Sequence, residues 1–254
     1  SYAYGAQGPS AVRPHAPLSI AGVTYGHDAA GNVTSASSGK FTALSFTSFN
    51  KPAASNGVTG PNAAYSWLYD EDHKRVREQR VIASGAGAGT RVQWYLNPDD
   101  VGGLGFERDE NTPASASAEN PAGASNRAYL NAFGQTVATV VTTGNLPTLS
   151  GNAPPQLSTL PAVKLEYWHK DHLGSLAATT DHTGAVTARY AYDPFGKRRD
   201  SAGQYDASGA LEVDWGAASL AGTGRGFTGH EHLDDVGLVN MNGRLYDAKT
   251  GVFV

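Results

Sequence analysis

The chain has 254 residues, 17% of them charged, and a formal net charge of −4 at pH 7. That balance speaks against a nucleic-acid partner, since the densest basic run is the short Lys197–Arg199. With no cysteine, disulfides, thiolate chemistry and Cys-held zinc are excluded.

In chain order, residues 1–22 are rich in Pro and Ala and read as an irregular lead-in. From Val23 to Ser48 two or three strands are expected, joined at Ala29–Asn32 and Ser37–Lys40. Tyr65–Tyr69 and Val76–Ile82 form a strand pair around the polar turn Asp70–Lys74, and Gly85–Gly89 makes a hairpin tip before the strand Thr90–Leu96. Glu110–Ser125 and Thr143–Pro161 are Ala/Ser/Pro-rich insertions that read as surface loops, with a hairpin turning at Phe133-Gly134 between them. Leu165–Arg198 is the densest meander. HEHLDDVGL, from His230, carries one possible turn of helix before Gly237, and NMNGRLYD closes as strand–turn–strand.

One turn signature recurs through this series: Asp, two residues, Gly. It occurs at Asp28–Gly31, Asp100–Gly103, Asp171–Gly174, Asp181–Gly184, Asp193–Gly196, Asp206–Gly209 and Asp234–Gly237. Asp at the first position accepts a hydrogen bond from the backbone two residues on, and Gly at the fourth tolerates the positive φ at which such turns exit. YGHDAAGNV from Tyr25 aligns with YAYDPFGKR from Tyr190, so Tyr25 matches Tyr190 and His27 matches Tyr192. The fold class is therefore all-β: repeated hairpins, with Gly at 31 residues and Tyr outnumbering Phe 12 to 8. Asp28, Gly31, Asp171, Gly174, Asp181, Gly184, Asp193 and Gly196 are the turn formers. Tyr25, Trp168, Tyr190 and Tyr192 are assigned to sheet packing.

Chemistry is weighed against this background. His169, Asp171 and His172 could join His230, Glu231, His232, Asp234 and Asp235 in a metal site, but HEHLD is not the HExxH pattern and turn-forming roles account for the same residues. Ser175 follows Gly174 without the GxSxG of a nucleophile elbow. Trp67, Trp94, Trp168, Trp215 and the tyrosines could stack on sugars or fill a sheet face. Asn32-Val33-Thr34 matches a glycosylation sequon at a turn.

Trp168–Arg199, WHKDHLGSLAATTDHTGAVTARYAYDPFGKRR, resembles the YD-repeat or Rhs family in the region called the Rhs-repeat-associated core. GFTGHEHLDDVGLVNMNGRLYDAKTGVF from Gly226 resembles the segment that follows in that core, and YGHDAAGNV, FTSFNKP, YDEDHKRVREQ and WYLNPDDVGGLGFERD resemble preceding repeats. The family includes polymorphic bacterial toxins, insecticidal toxin-complex subunits and, more distantly, teneurins. The resemblance implies hairpins that spiral into a hollow β shell, enclosing or presenting a C-terminal toxin domain, with the core closing one end. It divides the chain into a lead-in (1–22), YD-like repeats (23–161) and a core-like segment (162–254). It also implies that the partners are the remainder of the parent chain, a toxin domain, and secretion-system or toxin-complex subunits, with secretion or cell-surface display as the setting. No cofactor, metal, nucleic acid or membrane span is expected. The runner-up is a cell-surface module that binds carbohydrate or protein.

Three departures qualify the resemblance. The family's self-cleaving aspartic site is built from DPxG motifs, and the single match here, Asp193–Gly196, sits in a hairpin turn. Catalytic motifs of that kind are expected beyond Val254, so the chain itself is not expected to be an enzyme. KTGVFV carries Val252 where the family's GRF has Arg, and the absence of an initial Met and the abrupt end at GVFV suggest a piece of a longer polypeptide.

Overall fold

The computed structural model of the chain describes residues 1–8, 15–39, 41–53, 57–85, 87–98, 104–117, 121–144, 163–203 and 223–254. The turns at Asp100–Gly103 and Asp206–Gly209, Trp215 and most of the insertion Thr143–Pro161 lie outside them.

Fifteen antiparallel strands form one sheet in which each strand pairs with its sequence neighbours. They are β1 (Tyr2–Tyr4), β2 (Pro17–Ile20), β3 (Val23–His27), β4 (Val33–Ala36), β5 (Ala43–Leu44), β6 (Val58–Thr59), β7 (Ala63–Tyr69) and β8 (Arg75–Ile82). Next come β9 (Gly89–Pro98), β10 (Leu104–Pro113), β11 (Gly123–Ala132), β12 (Gln135–Thr143), β13 (Val163–Lys170), β14 (Leu176–Thr180) and β15 (Val186–Arg189). A two-stranded ladder follows, β16 (Ala191–Tyr192) with β17 (Arg198–Arg199). A four-stranded sheet ends the chain: β18 (Glu231–Leu233), β19 (Leu238–Asn240), β20 (Leu245–Asp247) and β21 (Val252–Phe253). This is an all-β, hairpin-built molecule.

Several expectations need correcting. Residues 1–22 are not an irregular lead-in throughout: β1 and β2 pair there, at Tyr2↔Ile20 and Ala3↔Ser19. Glu110–Ser125 is hairpin at both of its ends, because β10 and β11 extend into it with pairs Glu110↔Ala124 and Asn111↔Gly123. The backbone ladder continues there because antiparallel pairing depends on main-chain groups, which Ala and Ser supply as well as Val does. Instead of helix, HEHLDDVGL is strand β18 and a turn; the helical element nearby is one 3-10 turn, Phe227–Gly229. The sheet also runs across the expected division at residue 162, where Thr142 pairs with Val163.

The sheet has one face covered by residues 223–254, and the cover has two characters. Toward β2–β8 it is apolar. Leu233, Val236, Leu238, Leu245 and Val254 bury themselves against side chains that include Tyr25, Tyr65 and Trp67. In β7 the alternation is clean: Ala63, Tyr65 and Trp67 are buried while Ala64 and Ser66 between them are half-exposed. A smaller cluster of Tyr129, Trp168 and Leu176, with Tyr190 against it, fills β11–β14. Toward β8–β10 the covered face is charged.

Candidate functional site

The hairpin turns share one local geometry. At Asp28, Asp171, Asp181 and Asp193 the carboxylate Oδ1 accepts the N–H of the residue four on, at 2.9–3.0 Å. In the last three it also accepts from the residue two on. The Asp carbonyl accepts from the Gly N–H at 3.0–3.1 Å, and the glycines have φ between 81° and 92°. Hydrogen bonding to Asn32 and to Thr183 lowers the carboxyl pKa of Asp28 and Asp181 respectively. The same turn appears where the motif was not seen. Asp70 accepts from Asp72 and Lys74, with His73 at φ 59°, and Asp200 accepts from Ala202 and is followed by Gly203 at φ 75°. Thr47 accepts from Lys51, with Asn50 at φ 59°. The readable signal is a short polar acceptor followed three residues later by Gly, Asn or His.

Asp234–Gly237 keeps the backbone turn but turns its carboxylate inward, 3.5 Å from Arg198 Nε. The sequon asparagine is occupied in the same way: Asn32 donates its amide to Asp28 and to Asn50.

The packing residues stand in three surroundings. Tyr25 and Trp168 are buried, and Trp168 meets Tyr129 edge-on at 5.9 Å. Tyr190 is half-buried under Arg198. Tyr192 donates to the Leu176 carbonyl and leans on Phe227 and His232. The two aligned segments therefore differ in tertiary role: His27 lies in β3 of the large sheet, whereas its match Tyr192 belongs to the separate β16–β17 ladder.

The two His-rich segments meet without forming a ligand set. Ser175 Oγ is fully buried and accepts the Thr228 N–H at 3.0 Å, while Leu176 N–H donates to the Gly226 carbonyl. The contact holds Thr228 at φ 49°, a left-handed value uncommon for a β-branched residue. The rings point elsewhere: His169 bonds Thr180, His230 meets Thr228 Oγ1, and His232 Nε2 accepts the Phe227 N–H. Among the described residues no group of three or more His, Asp or Glu side chains is arranged to hold a metal ion.

The structure brings together a set of charges that motif reading passed over. Five ion pairs lie on the covered face. Arg75 spans Glu78 and Glu231; Arg80 Nε is 2.6 Å from Asp235; Arg225 is 3.1 Å from Glu107; Arg91 pairs with Asp109. Three hydroxyl or ring donors complete them. Tyr95 donates to Glu231 at 3.0 Å, Trp67 donates to Glu78 at 2.6 Å, and Tyr65 meets Asp235 at 2.8 Å. Arg75 also stacks over the Tyr95 ring at 4.2 Å. Glu231, which sequence reading offered as a metal ligand, is thus an ion-pair partner, and Trp67 and Tyr95 are interior groups, not a sugar-stacking face.

Burial acts against ionising these acids, and the partners decide the outcome. Burial pushes the Glu231 carboxyl up, but Arg75 and Arg225 outweigh it and hold the group below the usual glutamate range. Burial and then Glu231 itself raise Glu78 to about 7, against Arg75. Burial keeps the Tyr95 hydroxyl protonated, so it remains a donor. Burial, then Arg198, lowers His232; burial, then Arg225, lowers His230. What this seat does chemically is fix residues 223–247 across the sheet through charge-assisted contacts that are shielded from water.

The fold and its seat define a class: a meandering strip of hairpins with its own C-terminal sheet docked on one face. Chains with a segment of similar fold are found in toxin-complex crystal structures. The TcdB2-TccC3-Cdc42 structure matches with a TM-score of 0.54 at 13% identity, over 94% of this chain and 9% of that one. The TcdB2-TccC3 structure matches with a TM-score of 0.51 at 14% identity, again over 94% of this chain and 9% of that one. A Photorhabdus luminescens Tc holotoxin pore matches at 0.37, too low to carry argument. The chain therefore spans about a tenth of the structures it resembles. No protein-family description matches it, and no curated protein does. Among the described residues, no helix is long and apolar enough to cross a membrane.

Proposed function

We propose that the chain is a segment of a hairpin-built shell that encloses or presents a toxin domain, with its C-terminal residues closing over the inner face. The observation that carries this reading is the docking of residues 223–254 across one face of the fifteen-stranded meander through buried ion pairs. A second support is the likeness to toxin-complex structures many times longer than this chain. A third is the pair of strands at the ends of the sheet, β1 and β15, whose outer edges pair with no other strand among the described residues and suit further hairpins on either side. On this reading its partners are the remainder of its parent chain, including a toxin domain, and toxin-complex or secretion-system subunits, and it acts outside the producing cell. Its role is scaffolding.

The test is electron cryomicroscopy of the full gene product, with limited proteolysis beside it. The expected result is a hollow β particle whose enclosed domain resists protease until the shell is denatured. A solid particle, or flanking coding sequence without further hairpin repeats, overturns the reading.

A further inference from the structure

The charges beneath the C-terminal segment are unevenly partnered. Glu107, Asp109 and Asp235 each face a guanidinium of their own, and Glu166 has both Arg127 and Lys164. Glu78 and Glu231 instead share Arg75: its Nη1 lies 3.3 Å from Glu78 Oε2, and its Nη2 donates to Glu231 Oε2. Their other near donors, Trp67 and Tyr95, are neutral. Both carboxylates are about 5% exposed, Glu78 at 6% and Glu231 at 5%. They line one cavity of about 40 Å³, with room for water and none for a substrate. Arg80 and Arg225 also act on the pair, but each already faces a carboxylate of its own, Asp235 and Glu107. Two ionised acids sharing Arg75 therefore leave one buried negative charge in excess, a costly arrangement in a protein interior.

We propose that this seat is a proton-operated latch: while the C-terminal segment is docked, the Glu78–Glu231 pair keeps one proton, and losing that proton loosens the segment from the sheet. The latch goes beyond the shell reading and does not depend on what the shell holds.

The groups facing the pair come from every neighbouring element. Arg75 and Arg80 lie on its own strand, β8. Tyr65, Trp67 and Tyr69 come from β7, and Arg91 and Tyr95 from β9. The C-terminal segment adds Arg225, His232 and Asp235. Arg75 and Arg225 hold Glu231 ionised, so the proton resides on Glu78. Docked Glu78 releases its proton near pH 7, whereas an exposed glutamate does so near 4.3. Between those values the docked state binds more protons than the undocked one. Its contribution to docking is therefore complete below about pH 4.3 and is lost as pH rises through about 7. The histidines act in the opposite direction. His230 and His232 are held neutral when docked, so docking weakens as pH falls below the ordinary histidine value of about 6.5.

Hydrogen–deuterium exchange on the 254-residue chain reads the latch directly. Protection of the amides in Glu231–Leu233 and Leu238–Asn240, corrected for intrinsic rate, should fall roughly 10-fold between about pH 6 and 9. Amides of β12, away from the seat, should keep theirs. Glu78→Gln should remove the alkaline loss, and His232→Gln should leave it in place. An unchanged profile in Glu78→Gln, or no alkaline loss in the wild type, overturns the proposal. Should Glu78→Gln fail to fold, infrared spectroscopy of the wild type decides: a buried carboxylic-acid carbonyl band must be present near pH 6 and absent near pH 9. These readouts concern this chain alone, so a failed shell reading in the microscope leaves them interpretable.

Discussion

The hairpin tips and the seat of the C-terminal segment are built on opposite principles. A tip such as Asp181–Gly184 is closed by five consecutive residues: Asp181 caps Thr183 and Ala185, and a Cβ on Gly184 would meet nothing within 4 Å. The seat joins residues far apart in the chain, such as Arg75 with Glu231 and Tyr65 with Asp235. Asp193–Gly196 stands between these extremes. Its turn is as local as the others, but a Cβ on Gly196 would lie 2.4 Å from the Phe227 ring. The comparison teaches that one sequence signature carries two loads: an autonomous turn at the rim, and the same turn used as a wall against the docked segment.

The largest expected effect breaks the seat. Arg75→Ala removes the guanidinium that Glu78 and Glu231 share and should destabilise the chain by about 3–5 kcal/mol, measured by urea denaturation. A loss no larger than that of a surface substitution would mean that the seat is not a buried ionic contact.

A paired glycine measurement sharpens the contrast. Gly196→Val meets both a φ of 87° and the Phe227 ring, and should cost about 2–4 kcal/mol. Gly184→Ala meets only its φ of 86°, with no neighbour, and should cost about 1–2 kcal/mol. Equal losses in the two variants would show that Phe227 gives way and that the 193 turn is no wall.

The smallest effect belongs to the cap. Asp193→Ala deletes the acceptor for the Phe195 and Lys197 N–H groups and should cost about 0.5–2 kcal/mol, with β18 amide exchange unaltered. Loss of β18 protection in this variant would place Asp193 in the docking contact.

The all-β class and the turns were legible because their causes are local. A polar acceptor and a residue tolerant of positive φ, three apart, specify a hairpin wherever they fall; the turn at Asp70–Lys74 was expected from its polar residues, whereas Thr47 with Asn50 escaped notice because the motif was written too narrowly. The strands at Tyr2–Tyr4 and Pro17–Ile20 were not legible, because segments of three or four residues become strands through the partner they find. Glu231 was weighed as a metal ligand against a structural role in the turns, but its ion-pair role was not visible. Its significance lies in Arg75, 156 positions away, and in Tyr95. No periodicity marks β8 as half-covered by charge, since Glu78 and Arg80 look like a solvated strand face until another segment lies over them.

Sequence alone determined where this chain turns, because backbone dihedral preferences and side-chain caps act within five residues. Only the tertiary structure decided which face of the strip is covered, which carboxylates are buried and which of them shares its guanidinium. Those outcomes depend on desolvation and Coulomb energy between groups more than a hundred residues apart, such as Arg75 and Glu231, and such energies arise only once the chain has brought the groups together.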